Sequence, residues 1–320
     1  MPSLLGEAPG GKAFVREDVI QARLIMSGTV DGRKGLITFT TCSEYPSFSE
    51  SDVFLAKALM ERGFRVVPVV WNEDAAFLEE SDLVLFRAHW DYHLFLEDFS
   101  RWLEELETKE IPLRNLPQLV RWNLTKEYLF DLARWGVPIP HTEILSPGDD
   151  VHECYRRRGW SRGVLKPLAG ASGHLVESLG YDELEWWHHT LRQKNIQGVW
   201  LVQEFLPEIE GGEISLIFLN GRYSHGVLKK PRPGEFRTNG KFQAEIFRHE
   251  VSEKVLSQAC RVFDYLPEVP LYARIDGVMS PRGEFRLLEL ELNEPSLYFQ
   301  FAPEKAAGFA RDIEAVVCPV

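Results

Sequence analysis

Three carboxylates and an arginine late in the chain have the types and spacing to hold a metal ion and a phosphate. In the stretch Leu271 to Phe299, LYARIDGVMSPRGEFRLLELELNEPSLYF, the residues Tyr272, Arg274 and Asp276 alternate with apolar neighbours, and Phe285 to Leu292 alternates again. Ser280-Pro281-Arg282-Gly283 supplies turn chemistry between the two runs, which predicts a hairpin. Alternation puts Glu289, Glu291 and Asn293 on one face of the second strand, and the turn brings Asp276 alongside. Such a cluster repels itself unless a cation neutralises it, and all-oxygen ligands suit Mg²⁺. Arg274 shares the face of Asp276 and could hold a phosphate that the metal also touches. The plain alternative is a solvated strand face, but the flanking Leu and Val residues imply that the opposite face is buried.

A second group of residues suits a nucleotide. In Gly163 to Leu175, GVLKPLAGASGHL, a strand over Val164 to Lys166 delivers a lysine ahead of Gly170, Ala171, Ser172 and Gly173. Small residues let backbone N–H groups approach phosphate oxygens, and Lys166 adds a point charge. No GK[ST] closes the loop, so it is not a Walker loop, and a Gly-rich hairpin turn is the alternative. The strand from Trp200 ends in Gln203-Glu204-Phe205-Leu206, whose backbone could bond an adenine edge with Phe205 and Leu206 against the ring. Pro231 to Lys241 carries Arg232, Arg237, Asn239 and Gly240, as a lid over phosphates would.

The elements that position these groups follow from periodicity. Strand (Leu36 to Phe39), helix (Ser49 to Arg62, capped by Ser49 with Asp52 at the capping-box position), strand (Phe64 to Trp71) and strand (Asp82 to Phe86) imply a parallel α/β sheet. Its third strand runs into Arg87-Ala88-His89-Trp90-Asp91-Tyr92, where parallel sheets bind ligands. Arg87 could grip a substrate carboxylate, with Trp90 and Tyr92 as walls and Asp91 as an orienting acid; equally, Asp91 could cap a helix over packed aromatics. His89 and His93 have no third ligand in sight, which argues against zinc. Trp122 to Glu127 opens a helix ending at Gly136, and Glu17 to Met26 reads as a short helix. Ile214 to Leu219 pairs with Arg222 to Val227 across Asn220-Gly221, and Lys229 and Lys230 end that hairpin. The expected organisation is an extension over 1–34, an α/β domain over 35–118 and a second domain over 119–320, with lobes of about 119–202 and 203–320.

Composition narrows the class. With 320 residues, 44% hydrophobic and 26% charged, the chain has an ordinary globular make-up. A net charge of -12 argues against general nucleic-acid binding. Cys42, Cys154, Cys260 and Cys318 lie far apart with no CxxC, as reduced thiols do, and no apolar run spans a bilayer. A cytoplasmic protein with no membrane partner is the expectation.

The ordered set resembles the ATP-grasp ligases from about Leu36 to Phe299. The likeness is carried by VLKP with its Gly/Ser loop, the adenine-facing strand and the closing D…E-x-E strand pair. FRAHWDY, RWNLTKEYL, KKPRPGEFR and LELELNEPSLYF carry a further likeness, to the bacterial branch that contains the O-ureido-serine cyclo-ligase making cycloserine. Glutathione synthetase and D-alanine–D-alanine ligase are similar at greater distance. The resemblance implies an ATP-grasp fold behind an N-terminal parallel sheet. It implies that Lys126 and Lys166 contact ATP phosphates under Gly170 to Gly173, that Gln203 to Leu206 hold adenine, and that Glu213 takes the ribose. It also implies that Lys230, Arg237, Asn239 and Arg274 face the γ-phosphate or substrate, and that Asp276, Glu289 and Glu291 carry Mg²⁺. Many members close with E-x-N where this chain reads E-x-E-x-N, so Glu291 falls where that Asn lies and Asn293 is a neighbour only.

The chemistry implied is activation of a small amino-acid-like carboxylate as an acylphosphate, displaced by a nitrogen nucleophile to form an amide or close a ring. The absence of a Ser–His–Asp or Cys–His arrangement agrees, since phosphoryl transfer needs alignment and charge neutralisation. A ligase acting on peptide or protein tails and a non-catalytic ATP-binding protein are the alternatives, and a homodimer is left open.

Overall fold

The computed structural model describes residues 34–73 and 76–319, without the side chains of 76 and 77. The helix expected over Glu17 to Met26 lies outside the described residues. The described part is built on three sheets. In the first, β1 (Gly35–Thr41), β2 (Phe64–Val70), β3 (Leu83–Ala88) and β4 (Leu113–Arg114) pair in parallel in the order β2-β1-β3-β4. The helix Glu50–Glu61 crosses between β1 and β2. Ser49 caps it, accepting from the Asp52 N–H at 3.2 Å, while its hydroxyl donates to Asp52 at 2.6 Å. The other oxygen of Asp52 is turned inward to Arg87.

The second sheet is antiparallel, in the order β5-β8-β6-β7, from β5 (Thr142–Leu145), β6 (Arg162–Pro167), β7 (Glu177–Gly180) and β8 (Trp200–Glu204). The third is also antiparallel, in the order β11-β10-β9-β12-β13. It holds β9 (Glu213–Leu219), β10 (Arg222–Lys230), β11 (Glu245–His249), β12 (Tyr272–Met279) and β13 (Phe285–Glu291). Gly283, at φ 76, closes the β12–β13 turn with its N–H on the Ser280 carbonyl at 2.8 Å. Strands β7 and β11 and the helix Pro303–Val317 have no counterpart in the sequence reading.

One helix expectation is corrected. Where a single helix was expected from Trp122 to Gly136, two stand, Pro117–Asn123 and Tyr128–Arg134, with Lys126 in the break. Bonds to β13 and to the chain after β6 make the break. The Asn123 amide donates to the Leu290 carbonyl at 2.9 Å and accepts from the Leu292 N–H at 2.8 Å. The Lys126 N–H donates to the Leu168 carbonyl at 2.8 Å, so this backbone group serves a tertiary contact instead of a helical ladder.

The first and third sheets share a core. Phe39, Leu55 and Leu59 pack in one cluster with Ile217, Tyr272, Phe299, Phe309 and Ile313, so the C-terminal helix lies against Glu50–Glu61. The end of β3 and the loop after it abut residues 293–296: Arg87 donates to the Pro295 carbonyl at 2.8 Å and Trp90 Nε1 to that of Glu294 at 3.0 Å. This junction brings the loop after β3 to the carboxylate-bearing strand.

Candidate active site

Register decides which side chains meet. Asp276 is paired directly with Glu289, and Arg274 with Glu291, across the β12–β13 ladder. On the other side of β12, Asp276 faces Ser215 of β9, and Glu213 of β9 faces Lys229 of β10. One face of the sheet therefore carries a polar row, while Leu216, Ile275 and Leu290 fill the core beneath. The ligand oxygens of Asp276, Glu289 and Glu291 lie within 4.8 Å of one another, with Asp276 buried and the glutamates partly exposed. Hard oxygen donors gathered this way fit Mg²⁺. Asn293 follows past the end of β13; it is 1% exposed, yet neither amide atom has a hydrogen-bond partner.

Cations surround the trio. Lys126 Nζ lies 2.9 Å from Glu289 and donates to the Gly170 carbonyl at 2.7 Å, so the lysine ties the glycine loop to β13. Arg274 pairs with Asp276 at 3.0 Å and also with Glu291. Lys229 Nζ lies 3.0 Å from Glu213 and 3.3 Å from Asp276. Lys230, the expected site lysine, is exposed on the other face of β10, 6.0 Å from the Phe247 ring. The correction is one of register. The ladder shifts between Tyr223 and His225, and that bulge puts Lys229, not Leu228, opposite Glu213.

The electrostatics follow from burial and these partners. Burial works against ionisation of Asp276, but Arg274 and Lys229 overcome it and hold its carboxyl at about 2. Burial likewise opposes ionisation of Glu289, and Lys126 and Lys166 prevail, lowering it. Glu291 shares Arg274 with Asp276 and faces two carboxylates, so burial and their charge push it up to about 7. Burial lowers Lys166 to about 8, against the pull of Glu289.

The other predicted nucleotide residues are placed as follows. Ser172 and Gly173 take positive φ, 54 and 68, and a Cβ on Gly173 would come 2.7 Å from Phe242. The glycine loop thus lies against the 231–241 segment, and Asn239 sits beside Gly173. Arg237 is committed within that contact. It chelates Glu235, donates to the Val176 carbonyl at 3.3 Å and lies 3.8 Å over Phe242. Thr238 of the same loop donates to Glu213, so the expected ribose acid is engaged by Lys229 and Thr238. Gln203 is buried and donates to Thr142 Oγ1 at 2.8 Å, and Glu204 lies 3.6 Å from Arg286. Phe205 is covered by Arg162 at 4.4 Å, and Leu206 packs with Ile209 and Val278, an apolar seat at the end of β8.

The loop after β3 differs from the expectation. Arg87 is 1% exposed; its Nε donates to Asp52 at 2.9 Å, its Nη2 reaches Pro295, and its guanidinium lies 4.9 Å over Tyr272. The buried guanidinium thus holds the junction of the two sheets through Nε and Nη2, and its Nη1 has no hydrogen-bond partner. Asp91 stands at the N-cap of the short turn Tyr92–Leu94, but its side chain makes no cap bond and accepts from Trp71 Nε1 at 2.8 Å, and Tyr92 is buried among Phe86 and Phe99. Trp90 remains partly exposed at the crevice. His89 and His93 form no metal group with a third residue among the described residues.

Comparison with known proteins agrees with this arrangement. Residues 37–115 match the model of the N-terminal domain of D-cycloserine synthetase, and residues 130–273 match that of the prokaryotic glutathione synthetase ATP-grasp domain. The cycloserine biosynthesis protein DcsG of Streptomyces lavendulae is 28% identical over 255 residues, covering 75% of this chain and 85% of that protein. The glutathione synthetase of Bradyrhizobium diazoefficiens is 24% identical over 163 residues, about half of each chain (49% and 49%). The crystal structure of D-cycloserine synthetase DcsG superposes with a TM-score of 0.76 at 24% identity, over 88% of this chain and all (100%) of that one. D-alanine–D-alanine ligase from Bacillus anthracis in complex with ATP gives 0.65 at 16% identity, over 88% and 96%. With a parallel sheet ahead of an ATP-grasp domain and this row of acids and lysines, the chain has the ATP-grasp fold and is similar in sequence to ATP-grasp carbon–nitrogen ligases.

Proposed function

We propose that the protein is an ATP- and Mg²⁺-dependent ligase that converts the carboxylate of a small amino-acid-like substrate to an acylphosphate, which a nitrogen nucleophile then displaces. The observation that carries this reading is the meeting of Asp276, Glu289 and Glu291 with Lys126, Lys229 and Arg274 in one crevice. Mg²⁺ held by the three acids supplies neutralising charge for the outer phosphates. Lys126 and Lys166 hold those phosphates beneath Gly170–Gly173, while Gln203–Leu206 seat the adenine. Lys229 holds Glu213 in place and helps keep Asp276 ionised. Arg274, fixed by two carboxylates, faces the charge that develops as the phosphoryl group leaves ADP. The 231–241 segment, clasped by Arg237 and Thr238, keeps water from the acylphosphate. Residues 35–118 form one wall of the substrate crevice through Trp90, and 119–320 carry the nucleotide. The relatives named for cycloserine biosynthesis and glutathione synthesis support a small amino-acid substrate. The test is product analysis with a pool of amino acids, ATP and Mg²⁺. Substrate-dependent ADP and phosphate are expected, and AMP with pyrophosphate would refute the acylphosphate.

A further inference from the structure

We propose that Glu294 selects a substrate bearing an ammonium group, and that His89 beside it offers that group a second acceptor. The inference rests on the ligase reading above and names the chemistry of its substrate. Glu294 follows Glu291 by three residues, and its side chain is 8% exposed. Among the described residues no lysine or arginine pairs with it and no hydrogen bond reaches its carboxyl. The one group within ion-pair range is His89, with Nε2 4.0 Å away, too far for a hydrogen bond.

His89 brings no positive charge to this contact. It is wholly buried, and burial lowers it to about 3, with Arg87 adding to the effect. Its Nδ1 lies 3.0 Å from Thr40 Oγ1, and that hydroxyl has the Leu85 carbonyl at 3.5 Å as an acceptor. With the Thr40 proton directed to Leu85, Nδ1 carries the ring proton and Nε2 presents a bare lone pair. Nε2 has no partner, and neither has the amide of Asn293 next in sequence to Glu294. Among the described residues the corner therefore offers a carboxyl, an imidazole lone pair and a free carboxamide, with no cation paired to them.

Buried acids are ordinarily paired, and among the described residues this one has no cationic partner. Burial pushes the Glu294 carboxyl well above the usual carboxylate range, with Glu291 and Glu289 adding and Lys126 and Arg274 opposing, so a cation brought against it would favour its ionised form. An ammonium on the substrate satisfies the carboxyl and takes up the acceptors around it. A hydroxyl in the same position does so much less well, because charge-assisted bonds are the stronger ones.

The test is binding at saturating AMPPNP and Mg²⁺, by calorimetry, of D- and L-serine and D- and L-alanine against the matching glycerates and lactates. For at least one pair the wild type is expected to favour the amino acid by about tenfold or more. Glu294→Gln should bring that ratio near unity, and Glu294→Asp should keep part of it. His89→Gln should lower the ratio without abolishing it, which loss of packing alone would not do. AMPPNP affinity is measured alongside for each variant: failure of the wild type to bind AMPPNP sinks the ligase reading itself. With AMPPNP bound, a wild type indifferent to the amino group, or a Glu294→Gln ratio equal to the wild type's, overturns the role of Glu294. So does a Glu294→Asp ratio no higher than that of Glu294→Gln.

Discussion

Replacing Lys229 by methionine, with Lys230→Met as the control, separates two adjacent lysines by their positions in the sheet. Lys229 is 4% exposed and bridges Glu213 at 3.0 Å and Asp276 at 3.3 Å; Lys230 is exposed and pairs with neither. Methionine keeps most of the apolar stem but removes the charge, leaving two buried carboxylates facing each other across β9 and β12. Breaking a buried ion pair by removing one partner costs about 3–5 kcal/mol. At about 2 °C per kcal/mol for a chain of this size, Tm should fall by roughly 6–10 °C. Added Mg²⁺ should restore part of the loss, because a cation at Asp276 replaces some of the missing charge. Substrate-dependent ADP release should fall by about a hundredfold or more, as for lost electrostatic stabilisation of a transition state. Lys230→Met should stay within about twofold of wild type in rate and within about 0.5 kcal/mol in stability. Equal effects of the two substitutions, or an unchanged Tm in Lys229→Met, would refute the register reasoning.

Glu291→Gln should abolish turnover and weaken Mg²⁺ affinity at least about tenfold while Tm holds, because Arg274 keeps Asp276 as a partner; surviving activity would remove Glu291 from the metal set. Since Lys166 loses its proton at about 8 in the free protein, the affinity for ATP should fall about tenfold between pH 7 and pH 9. Lys166→Arg should flatten that profile, and a flat wild-type profile in a titration would contradict it. Arg87→Met should lower stability by about 3–5 kcal/mol in denaturant unfolding, because Asp52 is left buried without its partner. A rise in KM with stability intact would return Arg87 to substrate binding.

What the sequence displayed and what it hid divide along one line. The hairpin over 271–293 was legible because its period of two is strict and its turn residues are explicit, so the three acids could be placed on one face before any coordinates. The parallel sheet was legible for another reason, the order of apolar strands around a helix capped at Ser49. Lys229 was hidden because one bulge near Ser224 reverses the parity of every later residue in β10, and nothing local marks it. Arg87 misled because an arginine in a loop after a parallel strand looks like a ligand clamp. Its partners, Asp52 and Pro295, are 35 and 208 residues away. The break at Lys126 is similarly tertiary, set by Asn123 on β13. Glu294 and His89 carried no sequence signal, since their meeting depends on the docking of residues 293–296 against the first sheet.

The central claim is that Asp276, Glu289 and Glu291 together hold the divalent ion of a bound nucleotide. Crystals grown with Mn²⁺ and AMPPNP test it through the anomalous signal of manganese. The peak is expected among these three carboxylates, on the side of the crevice that holds Lys126 and Lys166. A peak bound elsewhere, or nucleotide bound with no ion at these side chains, would contradict the account.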